Sequence, residues 1–207
     1  TLNPITKAQL LNWPSKAQAR QKLGLDSDQL YVVYTGKFYI GQQEVEYFLQ
    51  AANAFPTAKF IITGGRPKVI KHYQSEYGHL SNLILTGFLD DYQELAYYQS
   101  AADILVSYYT IQDHQVDYNL PQKIIEYMVS GGAIITPEFK STQDILNESN
   151  AYFVKAESQK DLNNGLKMLL KDKLLRDKLG SKAQKDARTF TFNVSAERIL
   201  KTIRGEF

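Results

Sequence analysis

The chain has 207 residues, enough for one well-buried domain or a large domain with appendages, and its 43% apolar and 22% charged residues are ordinary for a globular protein. A net charge of +2 is too small to argue for nucleic acid or an anionic membrane, and the lysine-rich stretch from Lys167 to Arg188 is interleaved with aspartates, as a solvated helix surface is. With no cysteine, disulfides and thiolate metal sites are excluded, which suits a reducing compartment, and no apolar run approaches the ~20 residues of a membrane span.

The N-terminal stretch has neither the basic start nor the apolar core of a signal peptide. With Pro4, Pro14 and no methionine it reads as a linker, as in one half of a longer protein. LYVVYTG, Leu30 to Gly36, is a short apolar, β-branched and aromatic run ending in glycine, hence a buried strand. In EVEYFLQAANAF, Val45, Phe48, Leu49, Ala52 and Phe55 fall on one face of a helix. KFIITGG, Lys59 to Gly65, is a second buried strand, and a helix follows from about Pro67, where proline suits a first turn. NLILTG is a third strand and DDYQELAYYQSA the next helix, with Asp90 as its N-cap or first-turn acid. DILVSYY is a fourth strand. A polar loop then leads to the helix in PQKIIEYMVSGG, and GAIIT is a fifth strand. STQDIL and AYFVKA give a short helix and a sixth strand, and from Glu157 onward the chain reads as helix, broken near Gly180 and at Thr189, Phe190 and Thr191.

Six apolar strands alternating with helices predict an α/β fold: a doubly wound, Rossmann-like parallel sheet with helices on both faces and extra helices at the C-terminus. Only that arrangement buries runs such as YVVY and FIIT on both sides. Six strands are too few for an eight-stranded α/β barrel.

Open parallel sheets bind ligands beyond the carboxyl ends of their strands, where the winding reverses. The loops at those ends are TGKFYIGQQ with Gly36 and Lys37, TGGRP with Arg66, TGFLDD, and the long YYTIQDHQVDYNLPQK. Glycine turns, adjacent cations and free N–H groups at helix starts together favour an anion such as phosphate. Neither the G-x-G-x-x-G fingerprint nor the G-x-x-x-x-G-K-[ST] loop is present, which counts against a dehydrogenase and an NTPase. With Pro121 at the first helical position, the N–H groups of Gln122 and Lys123 face the crevice. Ile124, Ile125, Met128 and Val129 form one apolar arc, leaving Gln122, Lys123, Glu126 and Ser130 on the other side. Glu126 is therefore either a solvated helical glutamate or a carboxylate reaching back over the first turn to accept hydrogen bonds from ligand hydroxyls. His72, His79 and His114 show no metal-ligand spacing; His72 and His79 read as surface residues, and His114 lies in the loop on the ligand side.

PQKIIEYMVSGGAIIT resembles the signature P-x-K-x-x-E-Y-M-x-x-G-x-x-[VI]-[IV] of GT-B glycosyltransferases related to the large retaining family four. VVYTGKFY is similar to that family's Gly-Arg/Lys turn, KFIITGG to its I-x-G-G segment, and NLILTGFLDDYQELAYYQSAADILV to the stretch that follows. The resemblance covers almost the whole chain. It implies a nucleotide-sugar-binding C-terminal half: residues 1–28 as linker and lead-in helix, 29–190 as the Rossmann-like binding domain, and 191–207 as a helix packing toward an N-terminal acceptor half absent from these 207 residues. By that likeness Glu126 holds the ribose hydroxyls and Lys37 beside Gly36 takes the diphosphate, helped by Gln122 and Lys123 at the helix start. The backbone of Phe88 and Leu89 reads the base. The likeness implies glycosyl transfer with retention and needs no metal or cofactor, since cations and a helix terminus offset the charge of the leaving diphosphate. It further implies a cytoplasmic location, an acceptor sugar, lipid or protein held by the absent half, membrane association only through that half, and no nucleic acid. The isolated chain is expected to bind nucleotide and transfer no sugar.

The sequence departs from that pattern twice. Tyr118 stands eight residues before Glu126, where the family has an earlier glutamate near the sugar, and Asp117 beside it is the catalytic candidate. The family often has a Lys-Gly shortly after the first glycine turn; here IGQQE offers no lysine, and Arg66 is the cation named to compensate. The alternatives are a sugar-nucleotide epimerase of the same architecture and a non-catalytic nucleotide-binding module. A phosphorylase would need a lysine for pyridoxal phosphate that no segment singles out.

Overall fold

The computed structural model of the chain describes residues 12–110 and 122–190, with residues 6, 196, 200 and 204 singly. Along it run α1 (Lys16–Leu23), β1 (Tyr31–Thr35), α2 (Gln43–Ala54), β2 (Lys59–Thr63), α3 (Pro67–Tyr77), β3 (Leu83–Gly87) and α4 (Tyr92–Ala101). They are followed by β4 (Ile104–Val106), α5 (Gln122–Ser130), β5 (Ala133–Pro137), α6 (Lys140–Gln143), β6 (Tyr152–Val154), α7 (Gln159–Lys171) and α8 (Lys173–Ala187). The strands form one sheet of six in the order β3-β2-β1-β4-β5-β6, every neighbouring pair parallel. This is the doubly wound α/β sheet that the apolar runs predict. The winding reverses between β1 and β4, so the crevice beyond their carboxyl ends is the natural ligand position.

Side chains alternate across the sheet and divide the core in two. Val32 and Tyr34 of β1 pack with Phe48 and Leu49 of α2, Val69 and Tyr73 of α3, and Leu162 and Leu166 of α7. Tyr31 and Val33 pack on the other face with Ile124, Ile125 and Met128 of α5 and Ala183 and Ala187 of α8. Each such fully buried aliphatic or aromatic side chain stabilises the fold by about 1.5–3 kcal/mol.

The lead-in segment is well anchored. Ser15 and Gln18 close a capping box on α1, and Gly24 ends the helix in the left-handed region. Asp103, at the start of β4, accepts from Lys16 Nζ at 2.9 Å, Arg20 Nη2 at 2.6 Å and the Tyr31 backbone N–H at 2.8 Å, tying α1 to the two central strands.

Two local expectations are corrected. The side chain that caps α4 is Asp91, which accepts from the Gln93 backbone N–H, and not Asp90. The C-terminal helices break at Asp172, whose side chain caps α8 by accepting from the Leu175 N–H. Gly180 is no break: it lies inside α8, where a Cβ would stand 2.1 Å from the Gly131 carbonyl oxygen. Its glycine is required by the close approach of the helix to the α5–β5 turn, not by chain reversal. The expected helix over 191–207 lies outside the described residues apart from 196, 200 and 204, each of which is helical.

Candidate functional site

The carboxyl ends of β1, β2 and β3 are laced together through their glycine turns. The Gly36 N–H donates to Thr63 O at 3.1 Å, and the Gly64 N–H donates to Gly87 O at 2.7 Å. At Gly64 φ is +117°, and a Cβ there would stand 1.9 Å from Gly36 O, so only glycine admits this approach. The Phe38 side chain is buried beneath Gly65, and this packing leaves Lys37 exposed at the rim, its Nζ 5.6 Å from the centre of the Tyr39 ring. Lys37, Tyr39, Arg66, Lys71, Phe88 and Asp90 line a cleft of about 1110 Å³. Arg66 occupies the N-cap position of α3 with its side chain exposed, and Pro67 takes the first helical position as its fixed φ predicts. Phe88 is 60% exposed at the cleft, while Leu89 is half-buried.

The residues of α5 form a second group on the other flank of Gly36. Gln122 is exposed at the helix start; Pro121, whose place at the first helical position was expected, lies outside the described residues. Ile124, Ile125, Met128 and Val129 are buried as their periodicity predicts, but Glu126, Tyr127 and Ser130 are buried as well. Of the two readings of Glu126, the solvated helical glutamate is therefore excluded, and Ser130, on the same side as Glu126, is covered too. Helix α5 lies between α4 and α8 with the sheet beneath it, and periodicity identifies the most apolar arc without showing that the opposite arc is covered too.

The Glu126 carboxylate, 6% exposed, has two partners on α4: the Tyr92 hydroxyl donates to Oε1 at 3.2 Å and Gln99 Nε2 donates to Oε2 at 2.8 Å. A buried carboxylate requires such donors, because removing a charge from water without them is prohibitive. Burial, and then the charge of Glu126, hold the Tyr92 phenol well above its usual pKa, so it remains a donor. Gln99 Nε2 also donates to Thr35 Oγ1 at 3.1 Å, while its Oε1 is buried without a partner. The neighbouring Tyr127 hydroxyl accepts the Thr35 backbone N–H at 2.8 Å and the Thr35 hydroxyl at 3.1 Å, fixing α5 to the end of β1. Trp13 completes the enclosure. Its indole N–H donates to Ser130 Oγ at 3.1 Å, and its ring meets that of Tyr92 edge-on at 6.0 Å.

Lys123 stands where the two groups meet. Its Nζ is 3.7 Å from the position a Cβ would take on Gly36, and lies 4.3 Å and 4.6 Å from the ring centres of Tyr34 and Tyr109. Of the residues singled out by sequence, Gly36, Lys37, Arg66 and Phe88 thus surround the β1–β3 turns, and Lys123 and Glu126 follow beside β1. Asp117 and His114 lie outside the described residues. Tyr92, Gln99, Thr35, Tyr127 and Trp13 were missed. Gln99 carried a readable signal: it is a polar residue on the same helical stripe as Ala96 and Ser100. Among the described residues no group of three or more His, Cys, Asp or Glu is placed to hold a metal ion, and no helix is long and apolar enough to cross a membrane.

The family described as glycosyl transferases group 1 matches residues 15–186. The N,N'-diacetylbacillosaminyl-diphospho-undecaprenol alpha-1,3-N-acetylgalactosaminyltransferase of Campylobacter jejuni is 26% identical over 159 residues, 75% of this chain and 39% of that protein. Sucrose-phosphate synthase from Thermosynechococcus elongatus superposes with a TM-score of 0.79 at 22% identity, over 98% of this chain and 51% of that one. Anabaena HepE in complex with UDP-glucose superposes with a TM-score of 0.70 at 16% identity, over 97% of this chain and 54% of that one. The chain thus spans roughly 39–54% of the length of these proteins.

Proposed function

Because the chain belongs to the glycosyl transferases group 1 family and carries the Rossmann-like sheet of GT-B glycosyltransferases, we propose that it is the donor-binding half of a retaining transferase that holds a nucleotide-diphosphate sugar. The observation that carries this reading is that Lys123 Nζ lies against the Gly36 turn that leads into Lys37, while Glu126 is joined through Gln99 to Thr35, both at the carboxyl end of β1 where the sheet reverses. In this reading the diphosphate lies over the Gly36–Lys37 turn, where exposed Lys37, Lys123 and the N–H groups at the start of α5 meet it. Glu126 takes the ribose diol on the carboxylate lone pairs that Tyr92 and Gln99 leave free, since an ionised carboxylate has about four acceptor sites. The base enters the cleft beside Phe88 and Leu89, with Arg66 on its wall. That a protein of the same fold is solved with UDP-glucose supports a nucleotide-sugar as the ligand class.

The chemistry that follows is leaving-group stabilisation. Cations and helix N–H groups fixed where diphosphate charge develops lower the barrier to breaking the glycosidic bond, without a metal. Asp117 is proposed as the acid near the sugar. Transfer also requires an acceptor (sugar, lipid or protein) on a further domain, and any membrane association is assigned to that domain; the 207 residues alone are proposed to bind donor without transferring it, in the cytoplasm. Calorimetric titration with UDP, GDP, ADP and their glucose derivatives tests this reading. Binding of one of the three diphosphates is expected, and no heat with any of them refutes it.

A further inference from the structure

Resting on that diphosphate reading, we propose that Lys123 supplies the second cation of the diphosphate site, in place of the lysine that the turn after Gly36 lacks, and that it takes up a proton from solution as the diphosphate binds. The segment Ile40 to Glu44 that follows the Gly36–Lys37 turn contains no lysine. Arg66, the compensating cation expected from sequence, occupies the N-cap position of α3 without a side-chain capping bond and lines the outer cleft with Phe88. Lys123 comes from a different element, yet its Nζ lies 3.7 Å from a Cβ position on Gly36, at the turn that precedes Lys37.

Its surroundings make it an unusual lysine. The ammonium lies between the faces of Tyr34 and Tyr109, at 4.3 Å and 4.6 Å, a geometry that attracts a cation without neutralising it. Among the described residues the titratable groups that bear on it are Tyr34 on β1, Glu44 on α2, Tyr109 after β4, and Glu126 further along α5, with Lys37 next in the chain to Gly36. Among the described residues none of these carboxylates comes within ion-pair distance of it, 4.0 Å or less. Lys123 is half-buried, and a cation partly withdrawn from water with no counterion touching it among the described residues gives up its proton more readily than a solvated one. Burial brings the Lys123 pKa down from 10.5 to about 7, against the opposing pull of Glu44 and then Glu126. Among the described residues the cage holds no counterion; a diphosphate over the Gly36 turn supplies one, and its arrival restores the ammonium.

The consequence is measurable as a proton count. With a free pKa of about 7, Lys123 is about nine-tenths neutral at pH 8, so binding there draws up to ~0.9 proton from the buffer. The apparent Kd for the diphosphate then weakens by up to tenfold per pH unit between pH 8 and 9. The experiment is isothermal titration of the full chain with UDP, and with GDP and ADP in parallel, at pH 8 in HEPES and in Tris. These buffers differ in ionisation enthalpy, so proton uptake appears as a difference in observed heat. Wild type is expected to show uptake. Lys37→Met is expected to bind more weakly with uptake preserved. Lys123→Met, its folding verified by thermal unfolding, is expected to bind at least tenfold more weakly, with no uptake. Binding whose heat is the same in both buffers overturns the proposal while leaving the nucleotide reading standing, and so does uptake that survives Lys123→Met. Absence of binding by all three diphosphates overturns both.

Discussion

Substituting Glu126 separates the two duties its carboxylate performs. Toward the protein it receives Gln99 Nε2 at 2.8 Å and the Tyr92 hydroxyl at 3.2 Å; toward the crevice it is the proposed acceptor for a ribose diol. In Glu126→Ala the amide of fully buried Gln99 loses one partner while its Oε1 is already unpaired, whereas half-exposed Tyr92 turns to water. Leaving a buried donor unsatisfied costs about 1–3 kcal/mol. At ~2–4 °C per kcal/mol for a chain of this size, that is a fall of roughly 2–12 °C in Tm. In Glu126→Gln the new carbonyl oxygen can face Gln99 and the new amide can donate to Tyr92, whose hydroxyl rotates to accept it. The fold then loses only the charged character of two bonds, about 1 kcal/mol or less. Nucleotide affinity behaves differently. Both variants remove a charged acceptor, with an expected weakening of about 1.5–3 kcal/mol, or roughly 10- to 150-fold in Kd. Thermal unfolding paired with calorimetric titration of the diphosphate that binds wild type reads both quantities. Glu126→Gln is the decisive variant: a nearly wild-type Tm with a Kd raised at least tenfold is expected. An unchanged Kd in a folded Glu126→Gln protein refutes the ribose contact and leaves Glu126 a structural carboxylate held by α4.

Three further outcomes follow from the same structure. In Gly180→Ala, the helix propensity gain of ~1 kcal/mol opposes a Cβ placed 2.1 Å from the Gly131 carbonyl oxygen. Backbone against backbone cannot yield cheaply, so a net loss of about 1–3 kcal/mol in denaturant unfolding is expected, and a stabilised variant contradicts the close packing. In Tyr127→Phe, the buried Thr35 N–H loses its acceptor at 2.8 Å, with an expected loss of about 1–3 kcal/mol and faster amide exchange at Thr35. Unchanged exchange at that amide shows that the hydroxyl does not hold the end of β1. Finally, the lowered pKa of Lys123 means that between pH 7 and about 10.5 the unfolded chain binds more protons than the folded one. Stability must therefore rise with pH through that window, by up to ~2 kcal/mol from this site between pH 7 and 9. Lys123→Met should remove that slope, and superimposable profiles of Tm against pH for the two proteins would argue against burial of the ammonium.

The fold was legible because its causes are local. Runs such as YVVYT and KFIIT admit no water-facing side, and their burial on both faces forces helices onto both sides of a parallel sheet. Glycine endings at Gly36, Gly64 and Gly87 mark the carboxyl edge of the sheet for the same reason, since strand ends that approach this closely leave no room for a Cβ or demand a left-handed backbone. What misled was glycine read the same way inside the C-terminal helices. Gly180 looks like a chain break and is a contact, and the real break needed Asp172, whose capping role depends on its side chain turning back to the Leu175 N–H. A sequence shows that glycine is unusual at a position, but whether the reason is conformation or proximity is decided by what packs there.

The charged residues of the candidate site were legible in the sequence and their partners were not, and the difference is physical. Lys37, Lys123 and Glu126 are charged residues at strand ends and on a helix start, so any reading that places those ends at one edge brings them together. What each charge then does depends on neighbours far along the chain: Gln99 and Tyr92 lie 27 and 34 residues from Glu126, and Tyr34 belongs to β1. Helical periodicity is blind to this because it ranks faces by apolarity, while enclosure depends on how many elements surround the helix. Yet α4 carried a usable signal. A long amide such as Gln99, on the stripe otherwise formed by Ala96 and Ser100, is costly to bury unless something polar awaits it. Its two partners are Thr35, at the strand end beside Gly36, and Glu126. A polar side chain on the wrong face of a helix thus points to the site as directly as a charge on the open edge, because its burial is stable only where another polar group has already been fixed.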